Sequence, residues 1–556
     1  MSILLDYVPG EEEREGEWYC YQTIDGALGV YYVRIDRALP LSPANYLYRY
    51  IPQLYGLEGF RAAGGREFDP EPLEQAGILA QQRPPLELTG RGVIFACIDT
   101  GISYEDPVFR FSDGSSRILA IWDQTDQSGR TPEGIAYGSE YMRDQINEAL
   151  SSAEPHRIVP MTDEIGHGTA LASAAAGSRL EEGLAFCGAA PEADLVVVKL
   201  RPAKRYLRDY FQVAPDVPAY STDDILLAVR YVQRFVTPLY RPAVICLGLG
   251  TSLGSHSGGS LAVEYLQEAA SRVSQVLVTG GGNEGNSAGH FRSLLTEQAQ
   301  PVELRVGEQV RGFTAELWGM RPAVFRIGVR SPGGEAIPET DFRLGASVDY
   351  TFVYEKTRVR IDYMRNENNT ADELIQLRFD RPTPGVWTLT VRGLRTAGSV
   401  FDLWLMPRQF LSGEAYFLAP DPDVTLTMPS YTEDAVTASA YDSRSGSFFY
   451  RSGRGFSRTG AVKPDLAAPG VGISTADGPY SGAAMAAALT AGAAAQLMQW
   501  CVVEGNYRRI SGRSIRGFLS RGAREEPQEE YPSRRWGYGR LDMRRTFDEI
   551  AGNYPE

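Results

Sequence analysis

Histidine and cysteine are scarce in this sequence: 556 residues carry four His and five Cys. Cys20, Cys97, Cys187, Cys246 and Cys501 are odd in number, keep no metal-ligand spacing and lie partly in strongly apolar runs. That excludes a disulfide framework or a cysteine metal site and leaves reduced thiols. Positive charge is also in deficit, with 55 Lys and Arg against 70 Asp and Glu and a formal net charge of −15. Nucleic acid and anionic lipid are therefore not expected as partners. No acidic cluster has calcium-loop spacing, so neither a metal nor a cofactor is expected. The opening MSILLDYVPGEEEREGE has no basic segment and too short an apolar run for a signal peptide, which leaves the compartment open. One long uncharged run exists, Gly482 to Val503, close to the ~20 residues of a membrane span. It is mostly alanine and holds Gly492, Gln496 and Gln499, so it reads as a helix buried on all sides in a soluble core, not a membrane anchor.

What is present divides the chain into four stretches. Residues 1–57 are polar and aromatic-rich, broken by Pro40, Pro43 and Pro52, and form a small leading module with a strand-like VYYVRI. Residues 58–292 contain VIFACI, LVVVKL, VICL and VLV, short apolar runs typical of strands buried on both faces of a parallel sheet. Helical patterns alternate with them, the clearest starting at Thr222 and stopping at Pro238, which predicts a doubly wound α/β domain. Across residues 293–428 the period switches to two, as in Phe325, Ile327 and Val329 or Trp387, Leu389 and Val391, predicting an all-β insert of sandwich or jelly-roll type. Residues 429–556 resume the α/β pattern.

Candidate chemistry concentrates in four strings. Asp99 stands in DTGI at the end of the first buried strand, where a parallel sheet presents ligand-facing groups. DTG also occurs in aspartic proteases, but those need a second such carboxylate and a β fold, and no second DTG or DSG is present. His167 lies in GHGTALASAAAG, framed by glycines that permit close approach, whereas His156, His256 and His290 sit in polar stretches that predict solvated surface positions. Asn283 follows a buried strand in VLVTGGGNEGN. The same letters fit a dinucleotide fingerprint at Gly280, Gly282 and Gly285, yet a β pattern follows where a helix would be required. Finally, PDLAAPGVGIS leads into SGAAMAAALTAG, a glycine turn opening the charge-free helix.

Asp, His, Asn and this turn, in that order, resemble the subtilisin-like serine proteases, whose turn reads SGTSMA. GAAPEADLVVVKL and YPSRRWGYGRLD support the match, and IPQLYGL, LEQAGI and the position of the β insert are similar to the clostridial Csp-type subtilases. The resemblance implies a subtilisin-like fold with an inserted jelly roll and an N-terminal pro-segment seated in the cleft. It also implies a serine endopeptidase acting on protein or peptide substrates. In the better-known Csp-type members the substrate is a precursor of a cortex-lytic enzyme. Asp99 would orient His167, Asn283 would donate to the oxyanion, and Gly248, Leu249, Gly250, Gly280, Gly281 and Gly282 would hold substrate. The nucleophile position is Ala484, with Ala483 where threonine is usual, so the chain as written is expected not to cut. Two origins fit: replacement of a native serine, favoured by retention of Asp99, His167 and Asn283, or a natural pseudoprotease that binds without cutting. Within IPQLYGLEGF, Tyr55 and Leu57 are the candidates for the residue before a processing cut between about Gln53 and Gly65.

Overall fold

The computed structural model describes residues 2–8, 19–65, 67–180, 185–320, 322–340, 345–364, 372–396 and 398–552. Most of the acidic stretch bearing on the export-signal expectation, and the side chain of Cys20, lie outside the described residues. Cys97, Cys187, Cys246 and Cys501 are buried free thiols.

The apolar runs form the sheet that the pattern predicts. Strands Val436–Asp442, Gln275–Gly280, Ala243–Leu247, Ile94–Asp99, Asp194–Lys199 and Ile118–Asp123 lie side by side in that order, all parallel. Leu466–Pro469 adds a further parallel strand beside Val436–Asp442, and Ser139–Met142 closes the far side antiparallel. Ile94 to Asp99 are all buried because helices cover both faces. The helix Thr222–Val236 begins one residue after Ser221 and carries Asp223 and Asp224 in its first turn, where negative charge complements the helix dipole.

On the opposite face runs the charge-free helix, Ala483–Met498, every residue of it buried. Together with its continuation to Val503 it is long and apolar enough to cross a membrane by composition, but its surroundings are protein: it packs with the helix His167–Ala176 against the sheet in one apolar core. Alanine and glycine dominate because neighbouring backbones come close. A Cβ on Gly492 would overlap that of Ala189 and stand 2.9 Å from the Ala175 carbonyl.

After the sheet strand ending at Gly280, the period-two region forms two antiparallel sheets between His290 and Phe417. Their core is not closed on itself, since Ile51, Leu54, Leu207, Tyr210 and Phe211 from outside the insert belong to the same apolar cluster. Polar ties reinforce the junction. The buried Glu316 carboxylate accepts from Tyr48 Oη (2.8 Å), the Gly254 N–H (2.8 Å), Gln376 Nε2 (3.1 Å) and Trp318 Nε1 (3.2 Å).

The leading module is a three-stranded sheet, Ser2–Val8, Leu28–Arg34 and Tyr19–Thr23 in spatial order. Its Asp6 accepts from Lys204 Nζ at 2.7 Å and Arg201 Nη2 at 2.9 Å, and Tyr7 stacks on Tyr206. Leu4, Leu28, Val30 and Tyr32 pack into the core beneath the helix Thr222–Val236.

Gly492→Leu should lower stability by about 1–3 kcal/mol or more, because the new side chain has no space beside Ala189. A chemical-denaturation midpoint unchanged from the parent would contradict the tight helix packing.

Candidate active site

All four sequence strings converge at the carboxyl edge of the sheet, where the alanine helix begins. Asp99 is the last residue of its strand, and His167 is the first of a helix whose preceding residue, Gly166, adopts φ 80°. Gly168 must be glycine, because a Cβ there would strike the Gly101 carbonyl. That close approach brings Asp99 Oδ1 to 2.7 Å from His167 Nδ1, with both side chains buried. Asp99 Oδ1 also accepts the Thr100 N–H at 2.7 Å, which fixes the carboxylate. Burial pulls the imidazole's affinity for a proton down, but the Asp99 carboxylate outweighs it and the net effect is upward. His167 Nε2 is buried without a hydrogen-bond partner.

Asn283 is oriented from the other side. The Ala483 N–H donates to its Oδ1 at 3.1 Å, which turns Nδ2 into the cleft. There Nδ2 donates to the carbonyl oxygen of Glu58 at 2.8 Å, and the Ala484 N–H donates to the same oxygen at 3.0 Å. Gly482, at φ 132°, leaves room for that oxygen, which a Cβ would displace. A Cβ on Gly59 would lie 2.6 Å from His167 Nε2 and 3.4 Å from Ala484 Cβ, so the Glu58–Gly59 peptide bond lies over the histidine and residue 484.

The segment carrying this bond is extended on both sides of it. Leu54–Leu57 pairs antiparallel with Leu249–Gly250 on one flank and with Tyr220–Ser221 on the other. The Glu58 N–H donates to the Gly248 carbonyl at 2.9 Å. Beyond the bond, Phe60–Arg61 pairs with Gly478–Ser481, and the Ala62 N–H donates to Pro479 O at 2.8 Å. The Glu58 side chain turns into a buried pocket where Thr427 Oγ1 donates to Oε1 and Oε2 has no hydrogen-bond partner. A Cβ on Gly250 or Gly280 would overlap the carboxyl. Burial pushes this carboxyl up to about 7 from the usual 4.5; the Thr427 and Gly282 hydrogen bonds oppose the rise, Glu284 adds to it, and His167 works against it.

Of the glycine-rich residues expected to hold substrate, Gly248, Leu249 and Gly250 touch the segment backbone, and Gly280 and Gly282 bound the Glu58 pocket. Gly281 instead gives its N–H to Ala438 and faces Leu426. The residue whose carbonyl meets the two donors is Glu58, one beyond Leu57. Thr427, Tyr220, Tyr480 and Gln409, whose Nε2 donates to Leu57 O, also line the segment and carry no motif in the sequence. His156 is exposed as expected, but His256 and His290 are 0% and 1% exposed. Both stack on Trp404, at 4.0 and 4.7 Å, because the insert covers the polar stretches that contain them. Burial lowers His256 to about 3, so it is neutral.

The subtilase family profile matches residues 90–304 and 419–539, the two parts that flank most of the insert. The chain belongs to the subtilase family. It has the family's subtilisin-like α/β fold and is a serine protease by ancestry. Among solved structures, the CspB protease of Clostridium perfringens is 26% identical, with a TM-score of 0.77 covering 88% of this chain and 100% of that one. MycP1 without its N-terminal propeptide is 14% identical, with a TM-score of 0.38, covering 87% of this chain and 98% of that one. The patellamide maturation protease PatA is 14% identical, with a TM-score of 0.39 over 84% and 98% of the two chains. No curated protein matches the chain.

A carboxyl whose docked value is raised binds its proton more tightly docked than free. Docking of the subtilase segment is therefore strongest below about 4.5, weakens as pH rises to about 7 and is level above it. The protection factor of the Glu58 amide should fall on the order of tenfold or more between these limits, and Glu58→Gln should remove that slope. The neutral amide separates the carboxyl from the titration of His167. A slope of equal size in the glutamine variant would refute the assignment to Glu58.

Proposed function

We propose that the cleft of this subtilase is an endopeptidase site occupied by its own N-terminal segment in the register of a substrate, and that Ala484 leaves the Glu58–Gly59 bond uncut. The observation that carries the reading is the convergence of the Asn283 amide and the Ala484 N–H on one carbonyl oxygen, with His167 beside the same bond. Two donors on one carbonyl are the arrangement that stabilises a developing oxyanion.

With serine at 484, the hydroxyl would stand next to the unpartnered His167 Nε2. The imidazole would take the proton as oxygen attacks the Glu58 carbonyl and would return it to the Gly59 nitrogen as the C–N bond breaks. Asp99 would hold the Nδ1 tautomer and stabilise the imidazolium. The Ala484 N–H, at the start of a buried sixteen-residue helix, adds the positive end of the helix dipole at the oxygen. A methyl group in place of the hydroxymethyl removes the nucleophile and nothing else, at a cost of about 10⁶ in turnover where such losses have been measured. Residues 1–58 then act as a pro-segment that stays attached.

A second reading is a protein that binds peptide without cutting it, and the paired departure at Ala483 and Ala484 favours it. Serine at 484 in close relatives would point to a replaced nucleophile, and alanine there to a natural pseudoprotease.

The serine form, Ala484→Ser, should react with a fluorophosphonate and release a fragment ending at Glu58, both read by intact mass, while the parent does neither. Adding Asn283→Ala should slow the release by about 10²–10³. A folded serine form with neither labelling nor cleavage would end the protease reading. Labelling with an intact chain would end only the pro-segment role.

A further inference from the structure

Besides Thr427, which holds the Glu58 carboxyl, the insert places Gln409 against the backbone of the bound segment. Gln409 lies in a short helical turn, Arg408–Phe410, on the limb by which the insert returns to the α/β core. Phe410 is buried, and its carbonyl accepts from the Ala214 N–H at 3.1 Å. The Arg408 N–H donates to the Glu284 carboxylate at 3.2 and 3.3 Å, tying the turn to the loop that carries Asn283. So anchored, Gln409 Nε2 crosses the cleft and donates to the Leu57 carbonyl at 2.9 Å.

The same amide lies against Gly56, where a Cβ would meet Gln409 Cδ at 2.5 Å and its nitrogen closer still. Gly56 belongs to a regular strand and has no left-handed backbone, so its conformation does not require glycine. The Gln409 amide is what occupies the space. Residue 409 also falls outside both stretches matched by the subtilase profile, so this contact belongs to the insert and not to the common core.

Resting on the reading of the cleft as a peptide-cutting site, we propose that the insert forms part of the peptide-binding groove. Gln409 is a positioning residue that holds the backbone before the scissile bond and selects glycine at the third residue preceding that bond. A side chain at that position displaces the Gln409 amide and forfeits its hydrogen bond to the next carbonyl. Because the obstructing group is the end of a flexible side chain, the penalty is a lost hydrogen bond, not exclusion.

The test uses the full chain with Ala484 in place and reads the protection factor of the Glu58 amide, whose N–H donates to Gly248 O. Gln409→Ala should lower it about fivefold, the size of one net hydrogen bond. Gly56→Ala should do the same, and the double variant should be no worse than either single one, since the clash needs Gln409. Gln409→Met, which keeps the bulk and removes the donor, should match Gln409→Ala and guards against a folding defect in the smaller variant. Multiplying effects in the double variant, or no effect of Gly56→Ala, would overturn the proposal. No turnover is needed, so a serine form that never cuts would leave this outcome standing, and multiplying effects here would leave the protease reading standing.

Discussion

The carbonyl oxygen of Glu58 is the point on which the rest of this structure is arranged. Two hydrogen bonds reach it from parts of the chain far apart in sequence, the loop after a central strand and the first turn of the alanine helix. Each donor is fixed by a further contact: Asn283 by the Ala483 N–H, and the helix turn by Gly482, whose backbone few other residues could adopt. The sheet edge, the buried helix and the extended segment must all be in place before that oxygen finds both partners. The segment also covers His167, since a Cβ on Gly59 would lie 2.6 Å from its Nε2.

The insert is built into this arrangement, not appended to it. Its apolar core includes residues from the leading module and the α/β domain, and the Glu316 carboxylate is satisfied by donors from all three regions. A buried carboxylate that lost one of these donors would carry an uncompensated desolvation cost, so the three regions are coupled in stability. Trp404, sandwiched between His256 and His290, adds an aromatic contact across the same seam.

Much of the candidate site's frame is legible in the amino-acid order because it depends on local pattern. Buried strands announce themselves as VIFACI and LVVVKL, and the glycine turns around His167 and before Ala484 are demanded by backbone geometry. What is not legible depends on long-range placement. Glu58 is a charged residue in an apolar approach, and an apolar reading passes over it for Tyr55 and Leu57. Only the folded chain supplies the dry pocket that raises its carboxyl's proton affinity, against the opposing hydrogen bond from the Thr427 hydroxyl. Gln409 and Thr427 enter from either end of the insert's return limb, and no spacing rule links them to residue 56 or 58. His256 and His290 mislead for the same reason, since polar neighbours in sequence say nothing of a tryptophan arriving from the insert to cover them.

The segment in the cleft has no free end. It is held upstream by Tyr48 and Gln53 and downstream by the strand at Phe60–Arg61, leading on to the helix at Glu71. On the proposed reading of the cleft, a peptide arriving from solution meets an intramolecular competitor whose effective concentration is on the order of millimolar or above. Its apparent dissociation constant is inflated by the ratio of that concentration to the segment's own intrinsic constant, whatever the quality of its contacts. On that same reading, access to the cleft is set by the continuity of the backbone at one bond and by how readily a short strand lifts between two anchors.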